Sequence, residues 1–404
     1  LKVLLLSFEY PPETGFGGIG TYTWYHARAL AKLGHTVHVL AGATETTPIR
    51  ASEHDGVTVF RYRSANLLSR LILPPLERFR LWWTKNRVQN AISMYGGLRI
   101  LQRQHRYDII EMPECGAEGA VINRLVRTPT IVRLHSPASL IMPFYDVQKA
   151  DITLCSLVEK GGINAAGSFT SCSEFLADEA RLKLGVRRPI PVIPNGIDLC
   201  LFDGQEEVDF RDRFGLPRDR PIIFFAGRIE RRKGAHLLGQ IAKDILDRHD
   251  VAMVVAGQDL FDYMKREIEP ELDASSLNGS FHYLGKLGLT EIRSGVRQCE
   301  IFLLPSLWEN CPYSCLEAMA GGRAIVSTDQ GGMPEMIADG ESGLLARSGD
   351  AASFTGAIER LLLDDVLRAR LGDGARKAIE ASYRDIHTAR LAAENYARLL
   401  GAAA

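Results

Sequence analysis

The sequence predicts an α/β protein built from two doubly wound, Rossmann-like domains. Short apolar runs alternate with amphipathic runs of helical period almost from end to end. The strand-length runs are rich in Val, Ile, Leu and Phe, as strands covered on both faces must be. The 404 residues are about twice what one such domain needs. Alternation of this kind lays helices over parallel sheets, and a 46% hydrophobic composition supplies the cores.

In the first half, Val3–Phe8, Val37–Leu40, Val57–Phe60, Ile109–Glu111, Ile131–Leu134 and Phe169–Ser171 read as strands. Thr21–Leu33, Val88–Gln104, Glu118–Leu125 and Glu174–Leu184 read as the helices between them. The second half repeats the pattern. Its strands are Ile222–Ala226, Ala252–Ala256, Phe281–Tyr283, Ile301–Leu304 and Ala324–Ser327. Its helices are Lys233–Asp247, Tyr263–Glu269, Thr290–Gln298, Pro312–Ala320 and Pro334–Ala338. Leu199–Arg220 is polar, charged and bounded by Pro217 and Pro221, so it reads as the joint. The tail from Ala352 is helical, with Leu391–Leu400 a last amphipathic helix. The expected division is 1–200, 201–380 and a C-terminal helix in 381–404.

Charge and cysteines remove several function classes. Lys plus Arg is 48 and Asp plus Glu 49, so bulk charge gives no case for nucleic acid. Seven scattered cysteines form no C-x-x-C pair, which argues against a disulfide frame or zinc site and for reduced thiols in the cytoplasm. Leu1–Ser7 meets Glu9 and a double proline, so it reads as a first core strand rather than a signal peptide. No apolar run reaches the roughly 18 residues of a membrane span. One stretch departs from the balance: Arg61–Arg106 holds ten Lys or Arg and a single acid, Glu77, interleaved with Leu71, Ile72, Leu73, Phe79, Trp82 and Trp83. Three readings fit it: peripheral contact with anionic lipid, an amphipathic lid, or a cationic groove for an acidic acceptor.

Five segments carry candidate chemistry. Gly17-Gly18-Ile19-Gly20 follows the first strand and leads into a helix, a place suited to an anion or to a tight turn. The full G-x-G-x-x-G fingerprint fails at Thr23, against an NAD-binding reading. Gly227-Arg228-Ile229-Glu230-Arg231-Arg232-Lys233-Gly234 sets cations where a helix opens. They oppose the helix dipole there unless an anion joins them, and Arg228 and Lys233 suit a leaving diphosphate; a solvated basic cluster paired with Glu230 is the alternative. Glu309 and Glu317 stand on either side of a strand-to-helix turn with Pro312 in its first turn. Carboxylates accept hydrogen bonds from vicinal diols, and the turn's amides suit phosphate; two solvated surface acids are the alternative. Gly331-Gly332-Met333-Pro334-Glu335 reads as a second amide-lined wall or a capping turn, and Pro194-Asn195-Gly196-Ile197-Asp198 as a turn at the joint. His135 ends a strand, over a ligand or as a half-buried structural histidine.

Taken in order, these segments resemble the retaining glycosyltransferases of family 4 (glycosyl transferases group 1), which have the GT-B fold with an interdomain cleft. The resemblance rests on the Gly-Gly loop, P-N-G-I-D, G-R-x-x-x-x-K-G, E-x7-E and G-G-x-P-E, and spans nearly the whole chain. It implies an N-terminal acceptor-side domain and a C-terminal donor domain, with a last helix crossing back. Arg228 and Lys233 would hold the donor diphosphate, Glu317 the ribose hydroxyls and Glu309 the sugar ring. Gly17 and Gly18 would meet the donor from the N-terminal side, and His135 would sit by the donor sugar. Leu287 would grip the base, with Asn310, Cys311 and Pro312 completing the donor loop. Arg228, Lys233, Glu309 and His135 are the expected catalytic set.

The expected activity is transfer of a sugar from a UDP- or GDP-sugar to a hydroxyl acceptor of a glycan, glycolipid or small glycoside. No D-x-D, H-E-x-x-H or P-loop occurs, so no metal and no cofactor is expected, and charge neutralisation falls to Arg, Lys and amides. A nucleotide-sugar epimerase, a phosphorylase on the same fold and a non-catalytic nucleotide-sugar-binding protein are the alternatives.

Overall fold

The computed structural model describes residues 1–15, 17–64, 67–204, 208–272 and 279–401. They form two compact units, Leu1–Gly196 with Asp385–Ala404, and Ile197–Arg384. The chain thus divides at Gly196 and Arg384, against positions 200 and 380 in the sequence reading. Within the expected 199–220 joint, residues 205–207 lie outside the described residues, and Cys200–Asp203 and Phe210–Phe214 are short helices of the second unit.

The first unit carries seven strands. They are β1 (Lys2–Ser7), β2 (Thr36–Ala41), β3 (Thr47–His54), β4 (Val57–Arg63), β5 (Ile109–Pro113), β6 (Thr130–Leu134) and β7 (Ser168–Ser171), in the order β3-β4-β2-β1-β5-β6-β7. All pairings are parallel except β3 against β4. β3 is mostly exposed and polar, so it lacks the apolar signal. Its turn, Asp55-Gly56, has φ of 52° and 76°, the backbone that an Asp-Gly hairpin uses. Strand order reverses between β1 and β5, which makes their carboxyl ends the switch point where open sheets hold ligands. The helix Gly18–Lys32 and the last helix, Asp385–Leu399, belong to this unit and share one apolar cluster, with Leu30, Ala389 and Tyr396 fully buried.

The second unit carries β8 (Ile222–Ala226), β9 (Ala252–Ala256), β10 (Phe281–Tyr283), β11 (Ile301–Leu304), β12 (Ala324–Thr328) and β13 (Leu344–Ala346). Their order is β10-β9-β8-β11-β12-β13, all parallel. Every residue of β8, β9, β11 and β12 is buried, which is why those segments read as unbroken apolar runs. Phe210, Phe224 and Phe302 stack edge-on under the sheet with centroids 5.4 and 5.7 Å apart. Such pairs add about 1 kcal/mol each beyond area burial. On the other face, Leu238, Ile241 and Ile245 of the helix Ala235–Leu246 fill the core at helical spacing. The order reverses between β8 and β11, so the loops after these two strands flank this unit's switch point.

Candidate functional site

The loop after β8 is tied down before it reaches its cations. The Gly227 and Ile229 amides donate to the carbonyls of Ala256 and Gln258, at 2.9 and 3.0 Å. Arg231–Lys233 then make one 3-10 turn, and Gly234 turns left-handed at φ 83°. A Cβ at Gly234 would stand 2.1 Å from the Pro305 carbonyl oxygen, so only glycine lets this loop lie on the one after β11. The helix therefore begins at Ala235, two residues later than the sequence suggests, because Gly234 interrupts it.

That close approach joins the two loops through charge. Glu309 is 6% exposed. Its Oε1 pairs with Lys233 Nζ and accepts from Ser306 Oγ at 3.1 Å, and its Oε2 lies 3.2 Å from Arg232 Nη1. Arg232 reaches Glu230 at 3.0 Å with its other nitrogen, and Arg228, half exposed, lies 3.4 Å from the second oxygen of Glu230. Three cations thus face two carboxylates, which leaves one positive charge in excess. Burial alone would raise the Glu309 carboxyl, but Lys233 and Arg232 hold it down at about 2. Burial also lowers Lys233, and Glu309 opposes that shift.

The backbone of Glu309 is braced from the far side. Its carbonyl accepts from the Gly332 amide at 2.8 Å, and Glu309 bridges Gly331 in parallel register. Gly331 has φ 74°, and a Cβ there would lie 1.9 Å from the Glu309 carbonyl oxygen. The G-G-x-P-E segment is thus a buttress for the acidic loop; the helix it opens, Met333–Met336, is a single turn. Gly331→Ala should therefore cost about 1–3 kcal/mol from the backbone conformation alone, read by denaturant melts, and lower turnover as well. A variant with wild-type stability and rate would show that the buttress is dispensable.

Past Glu309, buried Asn310 and Cys311 and half-buried Pro312 lead into the helix Tyr313–Ala320. Pro312 is its N-cap rather than its first residue. Glu317 sits on this helix, half-buried. Burial pushes its carboxyl up to about 7, against the pull of Arg293. Leu287, also half-buried, follows β10 in a loop held beside β9 by the Gly257 amide donating to Gly285 at 2.7 Å. The structure thus gathers Arg228, Lys233 and Glu309 into one ion-paired cluster. Glu317, Leu287 and residues 310–312 belong to loops or helices after strands of the same sheet. In the sequence, Glu230 stands out only as a partner within the alternative of a solvated basic cluster, and Arg232 has no separate role. The signal was present: two further cations, Arg231 and Arg232, between Arg228 and Lys233, and a lone acid, Glu230, among them.

Gly17, Gly18 and His135 belong to the first unit. The helix starts at Gly18 with Gly17 as its N-cap, so these glycines form the first turn itself rather than preceding a helix at Thr21. A Cβ at Gly17 would collide with the Glu9 carboxylate, whereas Gly18 faces open space. His135 follows β6 and is buried, edge-on to Tyr22 with centroids 4.9 Å apart. Burial first, then the Arg133 and His26 charges, holds it well below the usual histidine range, so the ring is neutral. Beside it, Glu111 accepts from the Tyr22 and Tyr396 hydroxyls, both at 2.7 Å. Buried Arg133 lies over the Tyr22 ring and donates to Asn195 Oδ1 at 3.0 Å, which gives the P-N-G turn its anchor.

Two buried carboxylates fix the His135 loop. Glu114 accepts from the His135 and Ser136 amides at 2.6 to 3.0 Å, and Glu159 accepts from the Ala138 amide at 2.7 Å and Arg87 Nε at 3.1 Å. Burial raises Glu114 to about 8, and raises Glu118 and Glu159 to about 7. Carboxyls raised in the fold bind protons more tightly there than in the open chain. Their stabilising effect is full below the unfolded carboxyl range and is lost as pH rises through about 7 to 8. Melting temperature should accordingly decline from pH 6 to about pH 9, and Glu114→Gln, which keeps an acceptor oxygen, should flatten that decline. An unchanged slope would remove Glu114 from this role.

Among the described residues, no three His, Cys, Asp or Glu side chains are grouped to hold a metal ion. Their seven cysteines are all free, and no helix is long and apolar enough to cross a membrane.

Known proteins with related sequences share this plan. Residues 16–200 match the model of Glycosyltransferase Family 4, and residues 207–378 match that of Glycosyl transferases group 1. The chain is 28% identical over 391 residues to the 2-deoxystreptamine glucosyltransferase of Streptomyces kanamyceticus, covering 93% of this chain and 97% of that one. It is 25% identical over 379 residues to a D-inositol 3-phosphate glycosyltransferase of an Arthrobacter strain, covering 91% and 87%. Among solved structures, sucrose-phosphate synthase of Thermosynechococcus elongatus superposes with a TM-score of 0.81 at 21% identity over 100% of both chains. Anabaena HepE in complex with UDP and glucose gives 0.72 at 19% identity, over 98% and 99%. The fold is therefore GT-B, two Rossmann-like domains with parallel sheets.

Proposed function

The chain belongs to the glycosyltransferases of group 1 and family 4, and from that premise we propose that it moves a sugar from a nucleotide-sugar donor, UDP- or GDP-linked, to a hydroxyl acceptor with retention at the anomeric carbon. The observation that carries this reading is the Arg228–Glu230–Arg232–Glu309–Lys233 cluster at the switch point of the second unit, with its excess positive charge. HepE, solved with UDP and with UDP-glucose, has this fold.

In this reading Arg228 and Lys233 hold the diphosphate, and amides at the start of the Tyr313–Ala320 helix add hydrogen bonds. Charge builds on the departing diphosphate, where fixed cations stabilise it without a metal. Glu317, kept partly protonated near neutrality by burial, both donates to and accepts from the ribose hydroxyls. Leu287 and its neighbours meet the base.

Retention has two routes. A double displacement needs a carboxylate free to attack the anomeric carbon. Both oxygens of Glu309 are engaged, by Lys233 and Ser306 on one side and Arg232 on the other, and a carboxyl held at about 2 is a weak nucleophile. That favours the front-side route, in which the acceptor proton passes to a diphosphate oxygen as the sugar transfers on the same face. Glu309 then orients Lys233 and contacts the sugar ring.

Product mass spectrometry with UDP-, GDP-, ADP- and TDP-sugars against lipid and soluble acceptors tests the reading. It predicts a glycosylated product and free nucleoside diphosphate; donor epimerisation, or phosphorolysis, with no transfer would overturn it. Glu317→Gln should weaken donor binding about tenfold, the cost of one charge-assisted hydrogen bond, with little change in turnover at saturation. An unchanged donor dissociation constant by calorimetry would count against the ribose role.

A further inference from the structure

The Arg61–Arg106 stretch does not fold as one basic surface. Arg61 is buried and donates to the Tyr10 and Pro11 carbonyls, and Arg87 pairs with buried Glu159. Of the cations left exposed, Arg63 ends β4 and Arg99, Arg103 and Arg106 lie at or beyond the far end of the helix Trp82–Leu101, whereas Arg70, Arg78 and Arg80 belong to the helix Leu67–Arg78 and the elbow that joins the two. The elbow is firmly set. Asp151, 1% exposed, accepts from the Trp83 and Thr84 amides at 2.9 and 2.8 Å and so caps the second helix. Leu81 is buried, and Arg80 takes φ 56° to end the first helix.

What the elbow leaves outside is apolar. Leu71 is 65% exposed, Phe79 67%, Trp82 51% and Ile72 38%. Ile72 and Phe79 share one face at i, i+7. Around them Arg70, Arg78 and Arg80 are exposed, and Lys85 lies 5.5 Å over the Trp82 ring and pairs with Glu77. Counting Arg70, Arg78, Arg80 and Lys85 against Glu77, the elbow carries a net charge of +3.

We propose that this elbow docks on an anionic lipid bilayer, with Phe79, Trp82, Leu71 and Ile72 entering the interface and Arg70, Arg78 and Arg80 meeting the headgroups. Charge complementarity selects this occupant. A soluble polyanion would satisfy the arginines and leave four large apolar side chains in water. A second copy of the elbow would bring like charges together. A bilayer takes both features, since interfacial binding combines apolar insertion with attraction to anionic lipid. The docking does not depend on the transfer chemistry.

Flotation of the full chain with phosphatidylcholine vesicles, with and without phosphatidylglycerol, tests it. The chain should float only with the anionic vesicles, and Trp emission should shift to the blue in wild type but not in Trp82→Phe. Phe79→Ser with Trp82→Ser should abolish flotation. Arg70→Gln, Arg78→Gln and Arg80→Gln together should weaken it roughly a hundredfold, about fivefold per charge. Circular dichroism and donor binding should match wild type in all variants. Failure to float, or flotation unchanged in both sets of variants, overturns the proposal. So does association that survives the Phe79 and Trp82 changes but is displaced by dextran sulfate, or elbow-dependent dimerisation in place of vesicle binding.

Discussion

Lys233→Ala lowers turnover by about two to three orders of magnitude, the usual effect of deleting a fixed charge that stabilises a leaving group. The side chain is mostly buried, its ammonium is held by Glu309, and its position is set by the contact of Gly234 with Pro305. Arg232 and Arg228 stay in place in the variant, so some attraction for the donor persists. The loss therefore appears in kcat more than in donor affinity. Steady-state kinetics with a saturating donor separates the two. A loss confined to KM would place Lys233 in donor capture alone, and near-normal turnover would remove it from the site.

Glu309→Ala carries two costs. Lys233 and Arg232 lose their shared counter-charge in a buried setting, and breaking such a pair costs about 3–5 kcal/mol of stability. That effect depends on pH. The Glu309 carboxyl is lower in the fold than in the open chain, so its stabilisation is full above the unfolded carboxyl range and fades as pH falls toward about 2. Wild type and variant should differ most at neutral pH and converge in acid, as read by denaturant melts across pH. Turnover falls too, because Lys233 loses its orientation. External azide should not restore turnover; a glycosyl azide of inverted configuration would show Glu309 to be a covalent nucleophile. Equal stability at pH 7 would show that the ion cluster is not maintained in solution.

Much of this was legible in the residues, for physical reasons. Central parallel strands such as Ile222–Ala226 and Ile301–Leu304 are buried on both faces, and that leaves an unbroken apolar record. Thr47–His54 left none, because an edge strand faces water and only its Asp55-Gly56 turn marks it. Leu67–Arg78 hid behind Pro74 and Pro75, which read as helix breakers yet lie within the helix. Lys149–Ala165 escaped notice; Asp151 and Glu159, polar in the sequence, are turned inward to hold neighbouring amides.

At the site, residue types announced an anion-binding loop, but their pairing was not legible. Nothing in a linear string says that Gly234 and Gly331 let two loops close on Glu309 from opposite sides. Nor does it say that Arg232 shares its charge between Glu230 and Glu309. Those facts depend on positive φ values and on contacts across the sheet's switch point. His135 read as a histidine over a ligand or a half-buried structural one; its neutrality comes from burial and from Arg133 and His26, which are distant or unremarkable in sequence.

The most direct measurement is a crystal structure of the protein with an intact nucleotide-sugar. The diphosphate should lie within hydrogen-bonding distance of Lys233 Nζ and the Arg228 guanidinium, with the ribose hydroxyls on Glu317. A diphosphate seated away from the Gly227–Gly234 loop, or held through a bridging divalent ion with Lys233 still locked to Glu309, would contradict that placement.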